Sequence, residues 1–272
     1  MKFVFFGTDD FSVTVLDELK RADFLPSMII TVHDSRQGRG LKTLPSPAKL
    51  WAQENHIPVS SDYSLLTTDY QLFIVASYGK IIPKKILDIP EKGALNVHPS
   101  LLPKYRGASP IESQILNNEK EIGVTIMQVT EKMDAGPIVA QSKSAPDALG
   151  LQTSGAKWLR KILAHEGGKL LAEVIPKWVA GEIKAVPQDE AKATYTKKFT
   201  KSDGLIDLAG NAFQNFLKIR AFDGSIGTYF MHCKTRVIIK DAKYEDEKLA
   251  ITRVVPEGKK EMGYEDFLRG VK

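Results

Sequence analysis

Two hydrophobic patterns take turns along the first 180 residues. Short continuous apolar runs, "KFVFFG", "SMIITVH", "IPVS" and "LFIVASY", predict strands, the last apolar enough to lie in the centre of a sheet. Between them apolar residues recur at helical spacing. In "DDFSVTVLDELKRA" they fall at Phe11, Val15, Leu16 and Leu19, with acids at the start and Lys20 and Arg21 at the end, an order that suits a helix dipole. "SPAKLWAQEN" predicts a second helix with Ser46 as N-cap and Pro47 at its first position. "GALNVH" reads as a further strand, and "SPIESQILNN" as a helix opening on Ser109 and Pro110. "GVTIMQV" and "IVAQSKSA" are strands separated only by "TEKMDAGP", the spacing of a hairpin. From Leu151 to about Gly181 the pattern is helical. Strand and helix alternate, which predicts an α/β fold with a largely parallel sheet.

Past residue 190 the pattern changes. "AKATYTKKFTKSDG" follows neither period, is basic and closes on Asp-Gly, so it reads as a linker. One helix, "NAFQNFLKIRAF", and three strands, "GTYFMHC", "TRVIIKDAKY" and "KLAITRVV", follow it. The expected organisation is a catalytic domain at 1–190, a linker at 191–204 and a small, mostly β domain at 205–272.

Charge sharpens this division. Residues 1–190 carry 22 Lys+Arg against 22 Asp+Glu, whereas residues 191–272 carry 16 against 11, so the net +5 sits in the last third. A neutral body with a basic tail fits a catalytic unit joined to something that touches a polyanion, although extra lysines also serve solubility. The single cysteine, Cys233, leaves no internal disulfide or cysteine metal cluster and points to a reducing, cytoplasmic setting. The apolar run Phe3–Phe6 is too short for a signal core, and no window has the apolar length to span a bilayer, so a soluble chain with no membrane partner is expected. His33, His56, His165 and His232 are scattered, and no metal is expected. "FFGTDDF" has one glycine after its strand, too few for a dinucleotide fingerprint.

The chemistry concentrates in "ALNVHPSLLPKYRGASP", residues 94–110. In a strand, Asn96 and His98 point to one face while Leu95 and Val97 point to the other. Pro99 ends the strand there, and ligands of parallel α/β sheets bind beyond the carboxyl ends of the strands. Asn supplies a fixed N–H donor for a developing oxyanion, and His moves a proton near neutrality. Asp134, in a loop whose Gly136 and Pro137 force a turn, is the candidate carboxylate partner. Taken singly, each residue has an ordinary structural use: a strand-end cap, a satisfied histidine, an Asx turn. Together, with no Ser or Cys nucleophile nearby, they suggest direct acyl transfer without a covalent enzyme intermediate.

"LNVHPSLLPKYRGASPI", followed by "GVTIMQVTEKMDAGPIVAQ", resembles the signature of the folate-dependent formyltransferase family. "FVFFGTDDFSVTVLDEL", "GRGLKTLPSPAKLWA", "VASYGKIIPKKIL" and "TYTKKFTKSDGLID" resemble further family segments in the same order. The resemblance implies a Rossmann-like N-terminal domain and a smaller C-terminal domain resembling an open OB-type barrel. It implies 10-formyltetrahydrofolate as formyl donor and aminoacylated initiator tRNA as acceptor; a monomer is expected. By motif position it makes Asn96, His98 and Asp134 the catalytic trio, and Ser100, Leu101, Leu102 and Pro103 the folate-contacting segment.

"SRQGRGLKT", residues 35–43, carries Arg36, Arg39 and Lys42 and no acid. Alone it is an ordinary solvated loop; the resemblance makes it the insertion that contacts the tRNA acceptor arm. Lys197, Lys198 and Lys201 extend that reading. The segment from Leu205 onward is shorter than the family's full barrel, so a reduced OB-type barrel is expected. An amino sugar nucleotide as acceptor, a purine-pathway activity and a catalytically silent RNA-binding relative are the alternatives; the basic tail, the two-domain length and the intact trio respectively weigh against them.

Overall fold

The computed structural model describes residues 1–37, 42–144 and 155–270; for Arg36, Gln37, Lys42 and Ser144 it describes the backbone alone. In chain order the elements are β1 (Phe3–Gly7), α1 (Asp10–Arg21), β2 (Met28–Ile30), β3 (Ser35–Gln37), β4 (Lys42–Leu44), α2 (Pro47–Glu54) and β5 (Val59–Ser60). Next come β6 (Leu72–Ala76), α3 (Lys84–Leu87), β7 (Ala94–His98), β8 (Arg106–Gly107), α4 (Pro110–Leu116), β9 (Ile122–Gln128), β10 (Ile138–Ser144) and α5 (Ala156–Val179). The last are β11 (Tyr195–Thr196), α6 (Ala212–Ala221), β12 (Thr228–His232), β13 (Thr235–Glu245), β14 (Lys248–Pro256), β15 (Met262–Gly263) and α7 (Tyr264–Arg269).

By their contacts these elements form two units: Met1–Arg106, Gly123–Ser144 and Arg160–Tyr195 in the first, and Gly107–Ile122, Ala145–Leu159 and Thr196–Lys272 in the second. The first is built on a seven-stranded sheet in the order β10-β9-β7-β6-β1-β2-β5. Strands β5, β2, β1, β6 and β7 pair in parallel, as the apolar runs predict. β9 is antiparallel to β7, with Leu95 opposite Gln128 and His98 opposite Thr125. β1 and β6 are buried throughout, because helices cover both faces of a parallel sheet.

The helix signals act where the sequence puts them. Asp9 caps α1, its carboxylate accepting from the backbone N–H groups of Phe11 and Ser12, and Phe11, Val15, Leu16 and Leu19 are all buried. Ser46 Oγ accepts from the N–H of Lys49 (3.1 Å) with Pro47 at the first position of α2. The strand expected from "SMIITVH" is shorter, only Met28–Ile30, because β5 offers just two residues of pairing on that side.

Helix α5 carries adjacent glycines in its interior, which lowers its intrinsic helicity. Packing explains them. A Cβ on Gly167 would meet Val97 Cγ1 at 2.5 Å and Val124 Cγ1 at 3.1 Å, and one on Gly168 would meet Glu18 Cβ at 2.6 Å. The first glycine lets α5 lie directly on β7 and β9, the second on α1. Val97 is thus clamped from the side opposite to Asn96 and His98.

The second unit has a four-stranded antiparallel sheet, β12-β13-β14-β15, around Ile206, Phe230, Val237, Ile239, Val254 and Phe267. The small antiparallel sheet expected from the sequence is therefore present. Its strands form an open meander, with no pairing of β12 to β15 among the described residues. α4 packs on α6 in the same unit. No helix among the described residues is long and apolar enough to cross a membrane.

Gly167→Ala should be net destabilising: pressing a methyl onto Val97 costs about 1–3 kcal/mol, against about 1 kcal/mol gained from helix propensity. Urea denaturation measures the difference. Unchanged or raised stability would show that α5 does not rest on β7 at this glycine.

Candidate active site

β7 ends at the sheet's carboxyl edge with Asn96 half-buried and His98 buried at 4% exposure. The Asn96 side-chain amide has no hydrogen-bond partner among the described residues. His98 is held in one orientation. Its Nε2 lies 3.1 Å from the carbonyl oxygen of Tyr105, which can only accept, so Nε2 carries a proton. Nδ1 is left facing Asp134, with Oδ1 3.7 Å away, an ion-pair distance longer than a direct hydrogen bond.

Asp134 reaches His98 from the far end of β9. The N–H of Val129 bonds the carbonyl of Ala94 at the start of β7 (2.8 Å), so the following loop must travel the length of β7 to bring Asp134 to His98. Two features shape its return. Asp134 has φ +51°, a left-handed conformation that Asp tolerates better than most residues. Gly136 lies so close to the Gln128 carbonyl that a Cβ would collide with it. The structure therefore brings Asn96, His98 and Asp134 to one strand end.

Beyond Pro99 the chain is braced from β9 and β10. Buried Thr125 donates its hydroxyl to the carbonyl of Ser100 (2.7 Å) and accepts from the N–H of Leu102 (3.1 Å). Gln141 Nε2 donates to Thr125 Oγ1 (2.9 Å) and to the carbonyl of Leu102 (2.8 Å). Ser100 is fully buried, its hydroxyl donated to the Lys104 carbonyl (2.8 Å), and Leu102 is buried too. Leu101 and Pro103, which follows a cis peptide bond, keep partial exposure. Of the expected folate-contacting segment, Leu101 and Pro103 thus present side chains, while Ser100 and Leu102 set its shape.

Tyr105 has φ +63°, and Thr194 holds it there: the N–H of Tyr105 donates to Thr194 Oγ1 (2.8 Å) and that of Arg106 to the Thr194 carbonyl (2.8 Å). Arg106, 1% exposed, fills the space behind. Its guanidinium grips Gln188 and Glu190; the pairing holds the Glu190 carboxyl below its ordinary value and raises Arg106. A second polar cluster closes the ends of β1 and β6: Thr8 Oγ1 donates to the Tyr78 carbonyl (2.7 Å) and Ser77 Oγ to Asp9 Oδ2 (2.7 Å). Burial, with the Tyr63 hydroxyl, pushes the Tyr78 phenol up, so it stays protonated near neutrality.

Sequence reasoning missed Thr125, Gln141, Thr194, Arg106 and Gln188. Only Arg106 carried a signal, as a cation next to glycine in the segment that follows β7. Of the expected tRNA contacts, Arg39 and the side chains of Arg36 and Lys42 lie outside the described residues. Backbone pairing does join β3 to β4, with Arg36 opposite Thr43. In the basic stretch after it, Lys197 pairs with Asp203 (2.8 Å), while Lys198 and Lys201 are exposed. No group of three or more His, Cys, Asp or Glu suited to a metal ion occurs among the described residues.

Residues 1–175 match a family described as "Formyl transferase". A methionyl-tRNA formyltransferase from Carboxydothermus hydrogenoformans is 36% identical over 302 positions, covering 99% of this chain and 96% of its own. The chain belongs to the methionyl-tRNA formyltransferase family. The alignment is longer than the 272 residues here, so that relative has positions this chain lacks. Two solved structures share the fold at low identity. The methionyl-tRNA formyltransferase from Clostridium thermocellum has a TM-score of 0.62 at 15% identity, over 94% of this chain and 98% of that one. An N-formyltransferase from Helicobacter canadensis, in complex with folinic acid and dTDP-3-aminofucose, has a TM-score of 0.65 at 21% identity, over 90% and 89%.

Thr125→Val keeps the shape but leaves the buried Leu102 N–H without its acceptor. A loss of about 1–3 kcal/mol is expected in denaturant titration, with a raised KM for the formyl donor. Wild-type values for both would show that Thr125 is not the brace.

Proposed function

We propose that this chain transfers the formyl group of 10-formyltetrahydrofolate to the α-amine of methionyl-tRNA, with Asn96, His98 and Asp134 as the catalytic trio. The observation that carries this reading is the Asn96 amide, without a hydrogen-bond partner among the described residues, beside a histidine whose Nδ1 faces the Asp134 carboxylate. The neutral amine attacks the formyl carbon, and the Asn96 N–H₂ donates to the oxyanion that forms. As the new C–N bond is made, the amine gives up a proton, which reaches the folate N10 through His98 Nδ1 as the C–N10 bond breaks. Nε2 takes no part in that transfer, because it is committed to the Tyr105 carbonyl. Asp134 stands on the Nδ1 side, 3.7 Å away, where its carboxylate attracts the ring once Nδ1 has taken up the proton.

The folate lies against residues 100–103, beside the open end of β7. Residues 1–190 carry the catalytic groups, the linker 191–204 also supplies Thr194 and Tyr195 to the braces behind them, and 205–272 bind the nucleic acid, in a monomeric enzyme. Arg36, Arg39 and Lys42 contact the acceptor arm. If they contact phosphates, Arg36→Ala, Arg39→Ala and Lys42→Ala together should raise KM for charged tRNA, flatten its dependence on salt and leave kcat intact. A kcat loss with an unchanged salt slope would contradict that role.

The deciding assay measures formyl transfer from 10-formyltetrahydrofolate to charged initiator methionyl-tRNA, beside free methionine and an amino sugar nucleotide. Transfer to the charged tRNA alone supports the reading, and turnover only with the sugar nucleotide overturns it. Asn96→Ala should lower kcat on the order of a hundredfold or more with little change in folate affinity. Equal losses in both would remove Asn96 from the oxyanion site.

A further inference from the structure

Asp134 is held from behind by a side chain that the chemistry does not use. Gln188 Nε2 donates to the carbonyl of Asp134 itself (2.8 Å) and to that of Gly136 (2.7 Å). The two hydrogens of one amide thus close the loop across the turn, with the left-handed residue at one end. The other end of the amide is equally committed. Gln188 Oε1 accepts from Arg106 Nε (3.0 Å) and Nη2 (2.8 Å).

Arg106 is fully satisfied and buried. Besides Gln188 it binds Glu190 Oε2 through Nη1 (3.0 Å), Glu190 Oε1 through Nη2 (2.8 Å) and the Tyr195 hydroxyl through Nη1 (3.1 Å). A guanidinium has five N–H donors and no acceptor, and these five bonds use them. Its backbone N–H is tied to Thr194, whose hydroxyl also fixes Tyr105, the residue whose carbonyl holds His98. One buried cation therefore stands behind both partners of the His98–Asp134 pair.

Chemistry fixes the direction of the amide. Arg106 can only donate and the two loop carbonyls can only accept, so Gln188 has one permitted orientation and a flipped amide would oppose both neighbours. Glutamate at this position would still satisfy Arg106 but would turn an oxygen toward two carbonyl oxygens.

We propose that Gln188, locked by Arg106, is a positioning residue that sets the distance between Asp134 and the His98 imidazole during formyl transfer. This deepens the reading given above and rests on it. Gln188 touches no reacting atom; it acts through the main chain of Asp134. Misplacing a catalytic group by about an ångström costs up to roughly a hundredfold in rate, which bounds the effect.

The test uses the full-length protein with three variants: Gln188→Glu, Gln188→Met and Asp134→Asn. Gln188→Glu and Gln188→Met should each lower kcat about ten- to a hundredfold with KM for folate and tRNA near wild type. Gln188→Met guards against a failure of Gln188→Glu to fold. Combined with Asp134→Asn, the Gln188 change should cost nothing further, because its route runs through Asp134. NMR supplies a readout independent of turnover: the His98 ring resonances should shift in both Gln188 variants, while those of His56 and His165 stay. Wild-type kcat with unmoved His98 resonances overturns the proposal. So does a full additional loss in the Asp134→Asn background, which would give Gln188 a role of its own. An inactive wild-type protein whose His98 resonances still respond to Gln188→Glu would overturn the formyl-transfer reading and leave the positioning role standing.

Discussion

The bond from His98 Nε2 to the carbonyl of Tyr105 is the constraint on which the site depends. It spends one nitrogen of a buried imidazole on the backbone and leaves the other as the only place where a proton can be taken up or given. The ring cannot turn over without losing that bond in a place closed to water. Asp134 stands on the side of that other nitrogen, with Oδ1 3.7 Å from Nδ1.

Much of the surrounding structure serves to keep that bond where it is. Gly167 lets α5 press on Val97, so the strand carrying Asn96 and His98 is clamped from its opposite face. Thr125 and Gln141 fix the segment after Pro99, and Thr194 holds Tyr105 in a left-handed conformation that a non-glycine residue adopts at a cost of about 1–2 kcal/mol. These braces come from β9, β10 and the stretch after α5, all far along the chain from β7. The strand end that carries Asn96 and His98 is thus held by packing and hydrogen bonds drawn from α5, β9, β10 and the stretch after α5.

The same distances explain what could be read in advance. Asn96 and His98 were legible because a strand's period of two is local, and Pro99 marks its end within one residue. Asp134 was legible because glycine and proline announce a turn. Arg106 and Gln188 were not: their partnership spans 82 positions and depends on which loops the fold brings together. Nor do the positive φ angles at Tyr105 and Asp134 leave a trace, since neither residue is glycine. At the level of the fold, alternating runs predicted the parallel strands well, because burial on both faces writes itself into composition. The loop that carries Asp134 the length of β7 had no such signature. The family's motifs were specific enough to name the chemistry, while the open meander of the second unit emerged only from its strand pairing.

In the proposed transfer, Nδ1 of His98 carries the proton because Nε2 is held by the Tyr105 carbonyl. The most direct measurement is a long-range ¹H–¹⁵N NMR correlation of the His98 ring, recorded at a pH where the imidazole is neutral. The expected result is a protonated Nε2 and an unprotonated Nδ1. A protonated Nδ1 with a bare Nε2 would contradict it, and would move the proton transfer to the other side of the ring.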